Sequence, residues 1–179
     1  MKKLFAILLS LFLVLGVAAA ETTEEMKEVV MNWEDVAEMA ANIEGDFVSV
    51  ADLGLYMYLP SSFTALEVTE EQKAAGVIAL LGSEELGGSV SITYQNVGEM
   101  DFETYLNELK NAGATGFEKD TVNGLTALSY DLEVNGVKTS SLVFEEGENN
   151  IITFCFGPMD NETFQPAAFI MGASINAGE

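Results

Sequence analysis

The chain contains no histidine and no arginine, a single cysteine, three prolines and only seven basic residues, all of them lysine. Without imidazole there is no Ser-His-Asp or Cys-His arrangement. Histidine-based zinc sites are excluded too, and one thiol cannot form a thiolate cage or an intramolecular disulfide. Without guanidinium there is no bidentate grip on phosphate or carboxylate. No G-x-x-x-x-G-K-[ST] loop is present, and no G-x-G-x-x-G follows a strand. Against seven lysines stand 29 acidic residues, a formal charge of −22. A field of that sign repels phosphate backbones and anionic lipid head groups, so nucleic acid and anionic membrane surfaces are excluded as partners. The acidity reads as solubility outside the cell.

What is present begins with an address. Lys2 and Lys3 precede an apolar run from Leu4 to Val17, and Ala18, Ala19 and Ala20 follow. This is the layout of a cleaved secretory leader over residues 1–20, with the mature chain starting at Glu21. The run is shorter than the roughly 20 residues a spanning helix needs. No cysteine follows it to carry a lipid. The expected location is secreted or extracytoplasmic, in a bacterial envelope or outside the cell. Roughly 160 residues remain, a length suited to one domain with its own core.

Residues 21–43 carry apolar side chains at spacings of three and four, from Met26 through Trp33 to Ile43. They predict an amphipathic helix ending at Gly45. The segment 21–45 is thus expected as a helix or linker ahead of a single domain over 46–179. The period then becomes two. "DFVSV" and "LGLYMYLP" predict a hairpin turning at Asp52-Leu53-Gly54 and ending at Pro60. "TEEQKA" predicts a helical turn, "AGVIALL" a strand, and "SVSITYQ" a half-buried strand. In that last strand Val90, Ile92 and Tyr94 face one way and Ser89, Ser91 and Thr93 the other. Asp101 caps a helix with Phe102, Tyr105, Leu106, Leu109 and Ala112 on one face, closed by Gly113.

"VNGLTALSYDLEVNG" repeats Val-Asn-Gly twelve residues apart. Asn-Gly favours the type I′ turn, which needs positive φ at both central residues. Two such turns joining strands near 116–122, 125–134 and 137–145 make a meander, and "IITFCFG" continues it. The single Cys155 lies in that last strand and is expected to be buried. A C-terminal helix follows Asp160. Pro166 requires it to start late or to kink.

A strand ending "LYMYLPSSF", a strand pair, a helix after "MDFETYL", the long meander, a helix and a closing "ASI" resemble the PsbP-like α/β sandwich. That group includes the photosystem II extrinsic subunit and DcrB-like envelope proteins. The resemblance spans Phe47 to Ile175. It implies an α+β fold, an antiparallel sheet packed by helices as an α/β/α sandwich. It also implies a binding or assembly role rather than a catalytic signature.

No catalytic, cofactor-binding or metal-binding residue is assigned from the sequence, and no cofactor is expected. The remaining chemistry belongs to carboxylates. Two of them placed about 5–10 Å apart in a cleft hydrolyse glycosidic bonds, but no pair is singled out by spacing. Acidic loops at Ser83-Glu84-Glu85, at residues 145–150 and at Asp160-Asn161-Glu162 lack the EF-hand spacing and read as solvated turns. Trp33, Phe102, Tyr105, Tyr130, Phe154 and Phe156 read as core residues. Tyr56 and Tyr58 share a face opposite Leu55, Met57 and Leu59. The expected function is a non-catalytic binding or accessory domain whose partner is another protein or a cell-surface component. A carboxylate hydrolase acting on glycans is the alternative.

Overall fold

The computed structural model describes residues 26–147 and 149–178. The expected leader, the residues up to Glu25, Glu148 of the second acidic loop and Glu179 lie outside the described residues. The elements run β1 (Lys27–Met31), α1 (Trp33–Ala40), β2 (Gly45–Val50), β3 (Leu55–Pro60), β4 (Thr64–Ala65), α2 (Glu70–Ala74) and β5 (Val77–Ser83). They continue with β6 (Gly88–Asn96), α3 (Phe102–Asn111), β7 (Thr115–Val122), β8 (Leu125–Val134), β9 (Val137–Glu145), β10 (Asn150–Gly157), α4 (Gln165–Ala173) and β11 (Asn176–Ala177). The fold is α+β. An eight-stranded sheet has the order β1-β7-β8-β9-β10-β6-β5-β4, and a smaller sheet has the order β11-β3-β2.

The meander forms as its turns dictate. Asn123 and Gly124 have φ of 47° and 83°, and Asn135 and Gly136 have 53° and 80°. This is the left-handed pair a type I′ turn requires. Val122 therefore pairs with Leu125, and Val134 with Val137. On one face of the large sheet Val90, Ile92, Ala127, Leu142, Phe144, Ile152, Phe154 and Phe156 form the main core with Met57 and with Ala168 and Met171 of α4. On the other face Leu128, Tyr130, Leu132, Val143 and Ile151 pack against Tyr105, Leu106 and Leu109 of α3. With both faces covered, the polar side of β6 is not wet. Ser89 and Ser91 are buried along with Val90 and Ile92, so the half-buried reading of that strand is corrected.

Three further corrections concern the periphery. The single helix expected over 21–43 is instead strand β1 followed by the shorter α1. Val29 and Val30 are β-branched, which favours a strand over a helix. The edge of β7 accepts them in parallel, pairing Val29 with Asp120 and Val30 with Thr121. Asn32 then starts α1, its backbone N–H donating to the Asp35 carboxylate at 3.2 Å. This parallel edge makes the large sheet mixed rather than wholly antiparallel. Within α3, Phe102 and Ala112 are exposed, and the other three predicted face residues are only half-buried.

The C-terminal helix resolves its proline by starting late, with Pro166 in the first turn where no intrahelical N–H bond is lost. The turn at residues 69–74 forms as expected, with Thr69 and Gln72 in a capping box. Among the described residues no helix is long and apolar enough to cross a membrane.

Candidate functional site

At one end of the large sheet, β8 starts at Leu125, β9 ends at Glu145 and β10 starts at Asn150. Leu53, in the turn between β2 and β3, approaches from the main-core side. The connection from Val97 to Asp101 approaches from the α3 side. Between them lies a cleft of about 740 Å³, in the size range of sites that hold a small molecule or a few side chains. Leu55, Ala127, Phe144 and Ile152 line it from the main-core face. Leu128, Val143, Ile151 and Tyr105 line it from the other face. The cleft thus straddles the sheet end where the two cores would otherwise meet.

It stays open because α3 lies shallowly. None of that helix is fully buried, and Phe102 in its first turn is 47% exposed on the cleft wall. The helix is nevertheless pinned at this end. The Thr104 N–H donates to the Asp101 carboxylate at 2.8 Å, satisfying a donor the helix leaves free. The facing β9–β10 turn is shaped by left-handed Gly147 and Asn149, at φ of 61° and 63°. It is tied down by the Val97 N–H donating to the Asn149 carbonyl at 2.8 Å and by the Asn96 amide donating to the Asn150 side chain at 2.9 Å.

The rim is acidic. Asp101, Glu145 and Glu146 line the cleft against one cation, Lys119. Hydrogen bonds from the Thr104 backbone and hydroxyl hold the Asp101 carboxyl below its usual range, so it is ionised at neutral pH. The Tyr94 hydroxyl donates to Glu146 at 3.4 Å. Three other lysines are engaged elsewhere: Lys27 with Glu118, Lys73 with Glu70, and Lys110 over the Phe117 ring. Inside the cleft, burial pushes the Tyr105 hydroxyl well above its ordinary value, so it stays protonated.

Glycoside cleavage needs one carboxyl raised to act as an acid beside another that stays ionised. Among the described residues, the carboxyl that burial raises is Asp120, on β7 between Val29 of β1 and Ala127 of β8. It does not line the cleft, so the structure gives the hydrolase alternative no support. Among the described residues, no three His, Cys, Asp or Glu side chains are grouped to hold a metal ion.

No protein-family model matches the chain, and no curated protein matches it in sequence. Solved structures do match in shape. Cyanobacterial PsbP (CyanoP) from Synechocystis sp. PCC 6803 superposes with a TM-score of 0.55 at 12% identity, over 75% of this chain and 93% of that one. The fold is PsbP-like. LpqN of Mycobacterium tuberculosis, described as involved in cell envelope biogenesis, gives a TM-score of 0.43 at 14% identity over 80% and 97% of the two chains. The Saccharomyces cerevisiae Ran-binding protein Mog1p gives 0.43 at 10% over 75% and 96%. At such identities the likeness is one of fold, and it rests on the first of the three.

Within this PsbP-like frame the remaining sequence features fall into place. Two of the acidic loops meet. The Asn161 amide donates to the Leu86 and Gly87 carbonyls at 3.0 and 3.2 Å, joining the β5–β6 turn to the loop before α4. That junction lies at the sheet end opposite the cleft. Phe154 and Phe156 are core residues, as expected, and so is Tyr130. Burial raises the Tyr130 hydroxyl to about 12.

Trp33 is half-buried, its ring centroid 5.0 Å from Phe47 and 5.4 Å from Tyr58. Tyr58 is buried and donates to the Ile43 carbonyl, whereas Tyr56 on the same strand face is exposed. Cys155 is half-buried as a residue. Burial still pushes its thiol up, against hydroxyls of Ser141, Thr139 and Ser91, so it is a poor nucleophile.

The cleft itself escaped sequence reading. Its only local signal is apolar residues placed outside regular elements: Leu53 in a turn, and Val97 and Met100 in a connection.

Proposed function

We propose that this chain is a non-catalytic binding or accessory domain that works outside the cytoplasm and engages another protein or a cell-surface component through the cleft at the sheet end. The carrying observation is the cleft's composition: an apolar interior open to solvent at Phe102 and a rim carrying Asp101, Glu145 and Glu146, with the burial-raised Asp120 lying outside it. The leader over residues 1–20 supports export. β1 pairs with β7, and α1 packs with α4 and Tyr58. Both observations support reading the mature chain as one domain in which residues 26–45 are integral rather than a linker.

The test is capture from the organism's own envelope fraction with tagged mature protein, alongside a Phe102→Asp variant. One or more proteins should be retained by the first and lost with the second, and the exported chain should begin at Glu21. Panels of glycan, peptide, ester and phosphoester substrates should show no turnover. Hydrolysis abolished by changing a single Asp or Glu would overturn the reading in favour of a carboxylate hydrolase.

A further inference from the structure

We infer that the occupant of the cleft is a basic amphipathic peptide segment of a partner protein, its apolar side chains seated against Phe102 and the sheet end and its lysines or arginines at the Asp101–Glu145–Glu146 rim. This rests on reading the cleft as the binding site and adds the chemistry of what it takes.

Two properties of the cleft select that chemistry jointly. The interior gains most by covering apolar surface: Phe102 stands 47% exposed beside half-buried Leu53, Met100 and Leu125. At roughly 25 cal/mol per Å² of apolar area removed from water, an inserted Leu- or Phe-sized side chain is the effective anchor. A purely hydrophilic cation such as a polyamine has nothing to place there.

The rim selects sign. Asp101 is held ionised by its helix-capping bonds, so its charge does not depend on a ligand arriving. Glu145 is exposed, and Lys119 is the one cation on the lining. Around them the chain carries 29 acids against seven lysines, so an acidic partner is repelled at long range and a basic one is steered inward. Two helix or strand turns of a partner chain bearing alternating apolar and cationic side chains meet both demands. An electroneutral lipid or a free apolar molecule meets only the first.

The test uses the mature protein and three short acetylated peptides of equal length: Lys/Leu, Lys/Ser and Glu/Leu. Binding is followed by calorimetry at physiological salt. Three variants accompany it: Phe102→Ser, Glu145→Gln with Glu146→Gln, and Glu84→Gln with Glu85→Gln. The last pair removes the same charge from the β5–β6 turn at the opposite sheet end. All five positions lie at the surface or in a turn, and circular dichroism checks that each variant is folded.

The Lys/Leu peptide should bind one-to-one. Phe102→Ser and the Glu145/Glu146 pair should each weaken it by about tenfold or more, and the Glu84/Glu85 pair should leave it within about twofold. Equal weakening by the two glutamate pairs would show only a diffuse field and overturn the inference, as would Lys/Ser binding as tightly as Lys/Leu. Glu/Leu binding that is lost with Phe102→Ser would keep the cleft as a site while refuting a basic occupant. No binding by any peptide would refute the inference alone, because envelope capture tests the cleft independently.

Discussion

The two Asn-Gly turns look identical in sequence but do different work, and replacing each asparagine with glycine separates them. Glycine adopts the positive φ of either asparagine without strain, so the turn survives and only the side chain is removed. At Asn135 no side-chain hydrogen bond among the described residues joins it to another element, and Asn135→Gly should change stability by no more than about 0.5 kcal/mol. At Asn123 the side chain is a three-way tie. Its carbonyl accepts from the Trp33 N–H at 2.7 Å, and its amide donates to the Ala173 and Ile175 carbonyls, both at 2.8 Å. It thereby fixes the start of α1 and the end of α4 to the meander.

Ala173 and Ile175 are 1% and 0% exposed, so water does not readily replace the lost donor. Each hydrogen bond contributes about 0.5–1.5 kcal/mol net, and an orphaned buried acceptor costs more. Three together give about 2–4 kcal/mol for Asn123→Gly. That is roughly 4–16 °C in Tm at about 2–4 °C per kcal/mol for a domain of this size. Urea denaturation followed by tryptophan emission reads the difference directly, since Trp33 is the sole tryptophan and sits at the tie. Equal midpoints for the two variants at unchanged m would refute the assignment of Asn123 as a structural tie.

Asp120 is 2% exposed and its Oδ1 has no hydrogen-bond partner among the described residues, while burial raises its pKa against the opposing hydrogen bond of Ser129. The folded state therefore holds this proton more tightly than the unfolded state. Stability contributed by the protonated form is present below the unfolded carboxylate value near 4 and is lost as pH rises through the raised folded value. Asp120→Asn does not titrate, so it should match the parent near pH 4 and exceed it by about 1 kcal/mol at pH 7. A gap that does not vary with pH in denaturation series would contradict this. At Gly88 an added Cβ would stand 2.2 Å from the ring of fully buried Phe164. Gly88→Ala should cost about 3 kcal/mol, whereas Gly98→Ala meets open space and only left-handed strain of about 1 kcal/mol. Similar thermal shifts for the two would show that Phe164 yields to the methyl group.

Local signals with a steric cause were readable before the structure. The Asn-Gly pairs, the Asp101 cap and Pro166 each restrict φ or satisfy a named donor within a few residues. Their elements formed where the sequence placed them. The N-terminal segment was misread because its spacing fits a helix from Met26 to Ile43, while the deciding fact is non-local: the edge of β7 lies open to Val29 and Val30. The same holds for the wetness of β6, since Ser89 and Ser91 read as surface until the packing over that face is known. The cleft was the least legible feature. Its walls come from the β2–β3 turn, the approach to α3 and the β9–β10 turn, segments brought together only by sheet order. The tie at Asn123 was equally hidden, because Ala173 lies 50 residues downstream of it.

The two ends of the large sheet show why one of them is the place to look for function. A sheet covered on both faces still has to finish its strands, and each end exposes turns and the rims of both cores. At the end formed by the β5–β6 turn, the chain closes the gap itself. Phe164 fills the space above Gly88, its ring paired with Phe63 at 6.3 Å. Asn161 laces the loop before α4 to Leu86 and Gly87. At the other end hydrogen bonds from Val97 and Asn96 tie the β9–β10 turn to the approach to α3, yet a cleft of about 740 Å³ remains, and apolar side chains from both cores reach it. There α3 begins with an exposed Phe102 where a shorter or more polar residue would serve a purely structural helix start, and the carboxylate that caps this helix stands on the rim. Folding alone gives no reason to close one end tightly and leave the other open, apolar inside and anionic around the edge. The partner proposed above would cover that apolar interior and meet that anionic edge.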